Sequence, residues 1–560
     1  MAGWLLQESN LKIAIVAAEI TPWAKVGGLA DVIGALPAAL KEAGANVSVI
    51  LPAYKTVLSE LEVTPVAERL SAYLGSERHD FSVLRAEGHG GVPLYLINNS
   101  DFFRRDGIYG DRNGDYPDNA RRFIFFGRAA AIAAAELLEP DVVHAHDWHA
   151  AATPILLRAD ATIAGRLPRT LSVFTLHNLA FQGIFAIGDF PLLAIDWRYF
   201  NVDGLEFFGN LNLAKGAIEL ADGVSTVSPT YAREVTSTGL GFALEGVLRN
   251  KGSRFVGILN GADYNEWNPA SDSVIAANFS PNNHQAKRVC TRDLRQRVGL
   301  PQWDNRPLVG MVTRLTMQKG ADLLRDALDR VMQLDLQLVM LASGEREFEQ
   351  FFHDAHARYP ERLVLVPEFD NTLAHRIQAG ADVFLMPSQF EPCGLTQMYA
   401  LKYGTVPVVR ATGGLRDTIE EFDPRRSTGN GFVFGEYHSD ALVGALERML
   451  ATYADPPAWQ RLMRNCFAAD FSWDRAARSY LDWFDKLRVE QGVPVVGRDQ
   501  VPAQLECGRP VNADPHVVGD EDRIARREAA GGDAPFGALH HRAQRVAAML
   551  AVLLGQREPS

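Results

Sequence analysis

Short apolar runs alternate with amphipathic stretches from the start of the chain. Residues 11–18 form the first apolar run, a glycine-containing loop follows, and residues 32–42 carry apolar positions at helical spacing. The next apolar run, residues 46–51, stops at Pro52. Apolar runs that end at Gly or Pro and alternate with helical patterns predict parallel strands joined by helices. The further strands predicted in this half are residues 92–97, 142–145, 171–176 and 223–227.

The second half of the chain repeats this alternation. It is predicted to begin near residues 256–261, and its further strands are residues 308–313, 337–341, 362–366, 383–386 and 406–410. The pattern predicts an α/β protein with two Rossmann-like domains, residues 1–255 and 256–470, that face a deep cleft. Residues 471–489 predict a terminal helix that packs back on the N-terminal domain. Residues 490–560 are rich in Pro, Gly and charge and predict a disordered tail with a short helix.

The composition is that of a globular protein, with 560 residues, 47 % of them hydrophobic, and a formal net charge of −12. An acidic surface disfavours nucleic acid and anionic membranes, so no partner of either class is expected. The four cysteines form no CxxC pair and predict no disulfide framework. The chain shows neither a signal peptide nor an apolar run long enough to cross a bilayer. These features predict a cytoplasmic protein, and they leave its oligomeric state open.

The stretch at residues 391–397, Glu-Pro-Cys-Gly-Leu-Thr-Gln, is the first candidate for chemistry. It follows the predicted strand 383–386, so Glu391 lies at the carboxyl end of a parallel strand. Open α/β sheets bind ligands at that edge. The amides of residues 394–396 begin the next helix and can donate to an anion. An ordinary strand-to-helix junction explains the same pattern, and both interpretations stay open at this point.

Two groups of cationic residues lie in other loops that contain glycine. Lys25 precedes Gly27 and Gly28, whose backbone can approach a ligand closely. Arg314 and Lys319 follow a predicted strand of the second half and can converge on a diphosphate. The alternatives are a glycine turn with a surface lysine in the first case and solvated loop charges in the second.

The two halves also share a short echo. Residues 27–31 read Gly-Gly-Leu-Ala-Asp and residues 413–417 read Gly-Gly-Leu-Arg-Asp. We interpret each as a glycine turn that opens a helix toward the shared cleft. The echo supports two similar domains without proving a duplication.

Residues 144–149, His-Ala-His-Asp-Trp-His, resemble the HxHxDH site of zinc hydrolases. The spacing departs from that motif because the Asp comes one residue early and no distant Asp/His set is evident. Asp147 and Trp148 suit a hydroxylated ligand such as a sugar instead. His177 ends the predicted strand 171–176 and is either a structural histidine or a site residue.

These groups have their position in common, because all follow strands at carboxyl edges in the two predicted domains. Separate structural explanations would have to be found for each of them. A cleft between the domains that binds a sugar nucleotide explains them together.

With these residues in place, the sequence resembles the family of bacterial glycogen synthases and plant starch synthases. These are retaining glycosyltransferases of the GT-B type, with two Rossmann-like domains. The similarity covers roughly residues 11–488. It rests on motifs that occur in family order at residues 25–32, 146–149, 177–179, 259–261, 314–320, 391–397 and 412–415.

The resemblance implies transfer of glucose from ADP-glucose to the non-reducing 4-OH end of an α-1,4-glucan, in glycogen biosynthesis. It implies retention of the anomeric configuration, no metal and no other cofactor, since ADP-glucose is a substrate. The N-terminal domain would supply the acceptor side and the catalytic loop, and the C-terminal domain would bind the nucleotide sugar. The implied catalytic residues are Glu391, His177, Arg314 and Lys319. The implied substrate-binding residues are Lys25, Gly27, Gly28, Asp147, Trp148, Asn260, Cys393, Gly394, Leu395 and Thr396.

The resemblance also implies roles within the reaction. Arg314 and Lys319 would neutralise the leaving diphosphate, and Glu391 would orient the glucose hydroxyls. The main chain at His177 would face the anomeric carbon, while the Lys25 loop would hold phosphate and sugar from the opposite domain. Two mechanisms stay open. One is a front-side displacement with the diphosphate oxygen as base, and the other is a double displacement through Glu391.

Two departures from the family pattern concern the donor side. Tyr399 is not one of them, because it stands where many relatives of the wider class carry a second Glu but matches the bacterial branch of the family. Gln389 stands where the family usually has Arg, and residues 341–345 replace a more glycine-rich segment. These two changes leave the preference for ADP-glucose or UDP-glucose open. The sequence pattern also leaves the preferred glucan chain length open. The lack of a transit peptide favours a bacterial glycogen synthase over a plastid starch synthase.

Two rival functions come from other classes. A zinc hydrolase would use His144, His146 and His149. A catalytically silent glucan-binding protein would keep the aromatic and glycine features but would not need Arg314, Lys319 and Glu391, all of which are present.

Overall fold

The computed structural model of the protein describes residues 11–112, 114–237, 239–368 and 370–492. Its first half is built on a nine-stranded sheet. In spatial order the strands are Phe255–Gly257, Gly223–Thr226, Leu171–Leu176, Val142–His146, Lys12–Val16, Asn46–Pro52, Pro93–Asn98, Glu77–Glu87 and Thr64–Leu74. The seven strands from Phe255–Gly257 to Pro93–Asn98 are parallel, with Ile15 opposite Val49 at the centre.

Glu77–Glu87 and Thr64–Leu74 form an antiparallel hairpin at the edge of this sheet. The sequence pattern did not predict it. The reason is that most side chains of both strands are exposed or only half-buried, so neither strand contains an apolar run.

Helices cover both faces of the first sheet. They are Gly28–Glu42, Lys55–Glu60, Ser100–Phe103, Asn119–Ala133, Asp147–Ala150, Ala152–Ala159, Ala161–Arg166, Leu213–Leu220, Pro229–Ser237 and Glu245–Asn250. Short helical turns lie at His89–Gly91, Ala134–Leu138, Ile187–Leu193, Trp197–Tyr199 and Gly252–Arg254. Two small antiparallel sheets are added in loops: Ile184–Phe185 with Asn210–Asn212 and Glu206–Phe207, and Gly110–Asp111 with Gly114–Asp115.

The second half contains a six-stranded parallel sheet. Its strands, in spatial order, are Leu363–Val366, Gln337–Gly344, Leu308–Leu315, Val383–Met386, Val406–Arg410 and Phe432–Phe434. Its helices are Lys287–Val298, Ala321–Val331, Arg346–Arg358, Asn371–Gly380, Thr396–Lys402, Gly413–Thr418, Ser439–Tyr453 and Pro456–Ala468, with helical turns at Pro281–Ala286 and Met317–Lys319. The prediction of an α/β protein with two Rossmann-like domains is confirmed.

The boundary between the halves differs from the prediction in one strand. Phe255–Gly257 pairs in parallel with Gly223–Thr226, so it closes the first sheet. The expected start of the second domain at residue 256 therefore falls inside the first sheet. An apolar run at a domain boundary does not itself reveal which sheet it joins.

The helix Trp473–Glu490 lies on the first half, although it follows the second half in sequence. Leu487 and Trp483 contact the backbone of Gly223, and Tyr480 and Phe484 lie beside the His144 ring. The tail expected at residues 490–560 lies outside the described residues beyond Gly492.

Each sheet has its own hydrophobic core, and one smaller cluster combines residues of both halves. This cluster contains Val227 from the first half with Ala262, Cys393, Met398 and Tyr399 from the second. The two halves are thus held together by apolar contact directly beneath the stretch at 391–397. Within the described ranges, no helix combines the length and apolar character that a bilayer span requires.

Candidate active site

A cleft with a volume of about 680 Å³ opens between the carboxyl edges of the two sheets. This volume lies in the range of sites that enclose a small organic ligand. All of the residues predicted for the site line it: Lys25, Gly27, Gly28, Asp147, Trp148, His177, Asn260, Arg314, Lys319, Glu391, Cys393, Gly394, Leu395 and Thr396. They meet there because parallel strands of both sheets end at this edge.

Glu391 and Lys319 form an ion pair inside the cleft. Glu391 follows the strand Val383–Met386, and Lys319 ends the helical turn Met317–Lys319 of the neighbouring strand. The Lys319 Nζ atom lies 2.8 Å from Oε1 and 2.7 Å from Oε2 of Glu391, and the Ser388 hydroxyl donates to Oε2 at 3.1 Å. Glu391 is 5 % exposed, so this lysine compensates a buried carboxylate.

Arg314 lies on the same side of the cleft, near the end of the strand Leu308–Leu315. Its side chain is exposed, and none of the described residues forms an ion pair with it. A guanidinium in this state can bind an anionic ligand as a two-point donor without first breaking a bond within the protein.

The turn after Glu391 presents backbone donors to the cleft. Gly394 has a φ of +70°, and a Cβ at this position would lie 2.4 Å from the Gln397 side-chain oxygen. Glycine therefore permits the tight turn that starts the helix Thr396–Lys402. Burial raises the pKa of the neighbouring Cys393 thiol to about 12, so this side chain is neutral at physiological pH.

The Lys25 loop is held from within the first half. The amides of Val26 and Gly27 both donate to Oε2 of Glu19 at 2.8 Å, and the Tyr109 hydroxyl donates to Oε1 at 2.7 Å. Lys25 is paired with Asp31 at 2.6 Å. The Gly27 amide, expected from the sequence to be offered to a ligand, therefore has a protein acceptor in this structure.

Space remains above this loop. A Cβ added at Gly27 or Gly28 would meet no atom within 4 Å. Both positions lie at the start of the helix Gly28–Glu42, with no side chain capping its first turn. A ligand can therefore approach the backbone here from the cleft.

Asp147 fixes the main chain of His177. It adopts a left-handed φ of +55°, which is unusual for a residue other than glycine, and its Oδ1 accepts the His177 amide at 2.7 Å. Burial raises the pKa of Asp147 to about 7, although the His177 amide favours the ionised form. The carboxylate at the strand end thus orients the peptide unit that faces the cleft.

The histidines of this edge are engaged with protein partners. His146 Nδ1 lies 2.9 Å from His177 Nε2, and His144 Nε2 lies 2.6 Å from the Thr175 hydroxyl. Burial lowers the pKa of His144 and of His177 to about 3, so both rings are neutral. In the part of the chain that the structure describes, no three His, Cys, Asp or Glu side chains converge in a way that could hold a metal ion.

Trp148 and Asn260 complete the predicted set. The Trp148 ring meets the rings of Phe123 and Phe185 edge to face, with centroids 5.2 and 5.5 Å away. Asn260 is 5 % exposed, and its Oδ1 has no hydrogen-bond donor among the described residues. A buried acceptor of this kind at the cleft wall suits a ligand hydroxyl.

Other lining residues were missed by the sequence analysis, notably Glu19, Tyr109 and Trp267. Glu19 follows the first strand closely, so the strand-end rule that found Glu391 could have found it. Tyr109 and Trp267 lie in loops without a motif, and the sequence carries no comparable signal for them.

The glycine turn at residues 413–417 does not open toward the cleft, contrary to the prediction from the sequence. Residues 413–417 are not among those that line the cleft. Gly413 and Gly414 instead pack beneath the 391–393 backbone, where an added Cβ would lie 1.9 Å from the Glu391 oxygen and 2.1 Å from the Cys393 oxygen. The short sequence match between residues 27–31 and 413–417 thus predicts a glycine turn in both places, but it does not predict which surface each turn faces.

Comparison with known proteins gives two family models in chain order. Residues 12–250 match the starch synthase catalytic domain, and residues 294–463 match the glycosyl transferases group 1 model. Among curated relatives, the glycogen synthase of Koribacter versatilis is 42 % identical over 487 residues, covering 87 % of this chain and all of the relative. The glycogen synthase of Geobacillus stearothermophilus is 41 % identical over 481 residues, covering 85 % and 98 %.

Solved structures give the same picture. The catalytic domain of starch synthase IV from Arabidopsis thaliana, bound to ADP and acarbose, is 33 % identical with a TM-score of 0.80, covering 86 % of this chain and all of that one. A sucrose-phosphate synthase from Thermosynechococcus elongatus, 18 % identical with a TM-score of 0.53 over 86 % of this chain, shares the fold.

Proposed function

The chain belongs to the family of bacterial glycogen synthases and starch synthases, and on that premise we propose that it transfers glucose from ADP-glucose to the non-reducing 4-OH end of an α-1,4-glucan. It is a glycosyltransferase, and the glucan is extended in glycogen biosynthesis with retention of the anomeric configuration. One observation carries this proposal. The Lys319–Glu391 pair and Arg314, which has no ion-pair partner among the described residues, lie together in a cleft between two Rossmann-like domains.

The diphosphate of the donor is bound by the second half. Arg314 and Lys319 supply two positive charges, and the backbone donors at 394–396 add hydrogen bonds to phosphate oxygens. Charge that develops on the leaving diphosphate is stabilised by these groups. The reaction therefore takes no metal and no other cofactor, because side chains supply the cations.

Glu391 orients the donor glucose. Its carboxylate is held by Ser388 and, in the free protein, also by Lys319. When the diphosphate draws Lys319 toward itself, Ser388 still holds the carboxylate in place, and its oxygens become free to accept hydrogen bonds from the sugar. A carboxylate bound in this way is a better positioning group than a nucleophile.

The reaction is a front-side displacement. The bond between the anomeric carbon and the diphosphate oxygen breaks, and the bond from the acceptor 4-oxygen to that carbon forms on the same face. The proton of the 4-OH passes to the leaving diphosphate oxygen. The main chain at His177, oriented by Asp147, faces the anomeric carbon as positive charge develops on it.

The acceptor side is supplied by the first half. Trp148 offers an aromatic face for a sugar ring, and Asp147 and Asn260 offer acceptors for hydroxyls. Lys25 with Gly27 and Gly28 closes the cleft from the same side. The compartment proposed is the cytoplasm, where Cys290, Cys393 and Cys466, the cysteines within the described ranges, remain free thiols.

One assay tests the proposal. The protein is incubated with glycogen and either ADP-glucose or UDP-glucose, with and without EDTA, and the released nucleotide is measured. We expect ADP release that requires glycogen and is unchanged by EDTA, with slower release of UDP. Proton NMR of the new linkage should show the α-anomer. Nucleotide release that does not depend on glycogen, or a β-linkage, would contradict the proposal.

A further inference from the structure

The backbone at Glu391 and Pro392 accepts hydrogen bonds from both halves of the protein. On the side of the second half, the Gly414 amide donates to the carbonyl oxygens of Glu391 and Pro392 at 3.1 and 3.2 Å. On the side of the first half, the Ser228 hydroxyl donates to the same Pro392 oxygen at 2.5 Å. The position of Glu391 therefore depends on a hydrogen bond that crosses between the halves.

Ser228 is built to hold this oxygen. It is fully buried, directly follows Val227 of the shared apolar cluster, and accepts the Tyr231 amide at 3.1 Å. That second bond fixes the hydroxyl, so its proton is directed at Pro392. A buried hydroxyl satisfied on both sides is a rigid link.

The glycine turn beneath Glu391 is held from the first half as well. The Glu234 carboxylate accepts the Gly413 amide at 3.1 Å and the Thr412 hydroxyl at 3.3 Å. The charge sits at the start of the helix Gly413–Thr418, where it complements free amides and the helix dipole. Glu234 thus anchors the turn whose next amide holds Glu391.

A third contact lies beside these two. The Asp417 carboxylate accepts the Thr230 amide at 2.8 Å and the Thr230 hydroxyl at 2.6 Å. Every one of these donors and acceptors in the first half lies on or next to the helix Pro229–Ser237. Two helices, one from each half, are therefore joined end to side by polar contacts directly below the cleft.

We propose that Ser228 and Glu234 are positioning residues of the transfer reaction, which hold the Glu391 backbone in register with the first half. The proposal rests on the proposed function. The diphosphate and Glu391 contacts come from the second half, and the His177 main chain and the acceptor contacts come from the first, so the two substrates meet correctly only if this joint is fixed. Loosening it would move Glu391 relative to His177, while the cations that bind the diphosphate, Arg314 and Lys319, keep their places on the second half.

Substitutions at this joint should therefore affect ADP binding and the rate of glucose transfer differently. Arg314 and Lys319 lie at strand ends of the second sheet, whereas Ser228 and Glu234 bond to Pro392, Thr412 and Gly413. Variants at the joint should therefore bind ADP normally and transfer glucose slowly. A displacement of about 1 Å at a reacting centre can cost on the order of 100-fold in rate.

The test compares Ser228→Ala, Glu234→Ala and Glu234→Gln with a matched control, Ser172→Ala. Ser172 is also buried, and its hydroxyl donates to Asp222 at 2.9 Å within the first half, away from the cleft. Two quantities are measured: kcat with glycogen at saturating ADP-glucose, and the Kd for ADP by calorimetry. Melting temperatures show that each variant is folded.

We expect kcat to fall roughly 10- to 100-fold in Ser228→Ala and Glu234→Ala, with the Kd for ADP within about twofold of wild type. Glu234→Gln should recover most of the rate, because its amide oxygen still accepts the Gly413 amide. Ser172→Ala should stay within about twofold in both quantities. The proposal fails if kcat is unchanged, if the Kd for ADP rises in step with the loss of kcat, or if Ser172→Ala loses as much rate.

A second readout does not depend on catalysis. Amide hydrogen exchange of the full chain is followed by mass spectrometry for the peptide containing residues 391–397. Exchange should be several-fold faster in Ser228→Ala and Glu234→Ala than in wild type or Ser172→Ala. Unchanged exchange would overturn the inference, whereas an inactive wild-type protein would overturn the proposed function alone.

Discussion

The Lys319 ammonium contacts both carboxylate oxygens of Glu391, at 2.8 and 2.7 Å. Of the two side chains, that of Glu391 is 7 % exposed and that of Lys319 is 20 % exposed. In the free protein the lysine therefore compensates the desolvation cost of the Glu391 carboxylate, because a buried carboxylate is unstable without a nearby cation. In the proposed reaction the same cation binds the departing diphosphate, so binding of the donor would release Glu391 from Lys319.

Removing Lys319 should destabilise the fold. Lys319→Ala leaves the Glu391 carboxylate buried without its cation. We expect the free energy of unfolding to fall by about 2 kcal/mol, less than the 3–5 kcal/mol typical of fully buried pairs because Lys319 is partly exposed. Urea denaturation measures it. In a Glu391→Gln background the same substitution should cost much less, and an equal cost in both backgrounds would contradict the coupling.

Removing Arg314 should weaken ADP binding without lowering the stability of the fold. Its side chain is exposed and unpaired among the described residues, so Arg314→Ala should leave the melting temperature unchanged within about 1 °C. Loss of a charged hydrogen-bond donor to phosphate should weaken ADP binding by roughly 10- to 100-fold. Calorimetric titration with ADP checks this. A Kd equal to that of wild type would remove Arg314 from the diphosphate site.

Asp147 should make stability depend on pH. Its folded-state pKa of about 7 lies above its ordinary value of 3.8, so between these values the folded protein binds a proton that the unfolded chain has lost. Its contribution is therefore fully present at low pH and is lost as pH rises through about 7. Because the side chain is only partly buried, we expect a loss on the order of 1 kcal/mol.

The check is urea denaturation of wild type and Asp147→Asn at pH 5 and pH 8. Asn keeps an acceptor for the His177 amide but does not titrate. The difference in unfolding free energy between the two proteins should therefore shift in favour of the Asn variant as pH rises. A difference that is constant with pH, or that shifts the other way, would contradict a raised pKa at Asp147.

Glu19 should control the Lys25 loop. Glu19→Ala removes the acceptor of the Val26 and Gly27 amides, so the loop loses its fixed position at the cleft wall. We expect kcat/KM for ADP-glucose to fall roughly 10-fold or more, since each lost buried bond costs about 1 kcal/mol or more. Glu19→Gln, which keeps an acceptor oxygen, should lose less. Equal losses in both variants would point to the charge and not the hydrogen bonds.

Tyr109→Phe offers a matched control for this loop. It removes the hydroxyl that donates to the other carboxylate oxygen of Glu19 but keeps the aromatic ring. A smaller loss than in Glu19→Ala is expected, since the amide contacts remain.

The sequence pattern was sufficient for the parts of the site that lie directly after apolar strands. Glu391, Arg314 and Asp147 follow such strands, and parallel topology brings them to one edge. The exposed hairpin Thr64–Leu74 with Glu77–Glu87 was missed because it carries no apolar run. The local sequence pattern therefore identifies the residue at the end of each strand, and the parallel topology brings these residues together at one edge of the sheet.

Contacts between the halves could not be predicted in this way. Ser228 and Pro392 are separated by 164 residues, and nothing near either residue indicates the other. The second glycine turn, at residues 413–417, was wrongly assigned to the cleft because its local sequence matches residues 27–31. Its surroundings are set instead by Glu234 and the Glu391 backbone, which are distant in sequence. Such contacts depend on how the two domains are placed, which the chain pattern does not contain.

The central claim is that the cleft transfers glucose by means of Lys319 and Glu391. The direct measurement is the initial rate of glucose transfer from ADP-glucose to glycogen for wild type, Lys319→Ala and Glu391→Ala, per mole of folded protein. We predict that wild type transfers glucose and that each variant is slower by about 10²–10³-fold. A folded variant that transfers glucose at a rate near wild type would contradict the account.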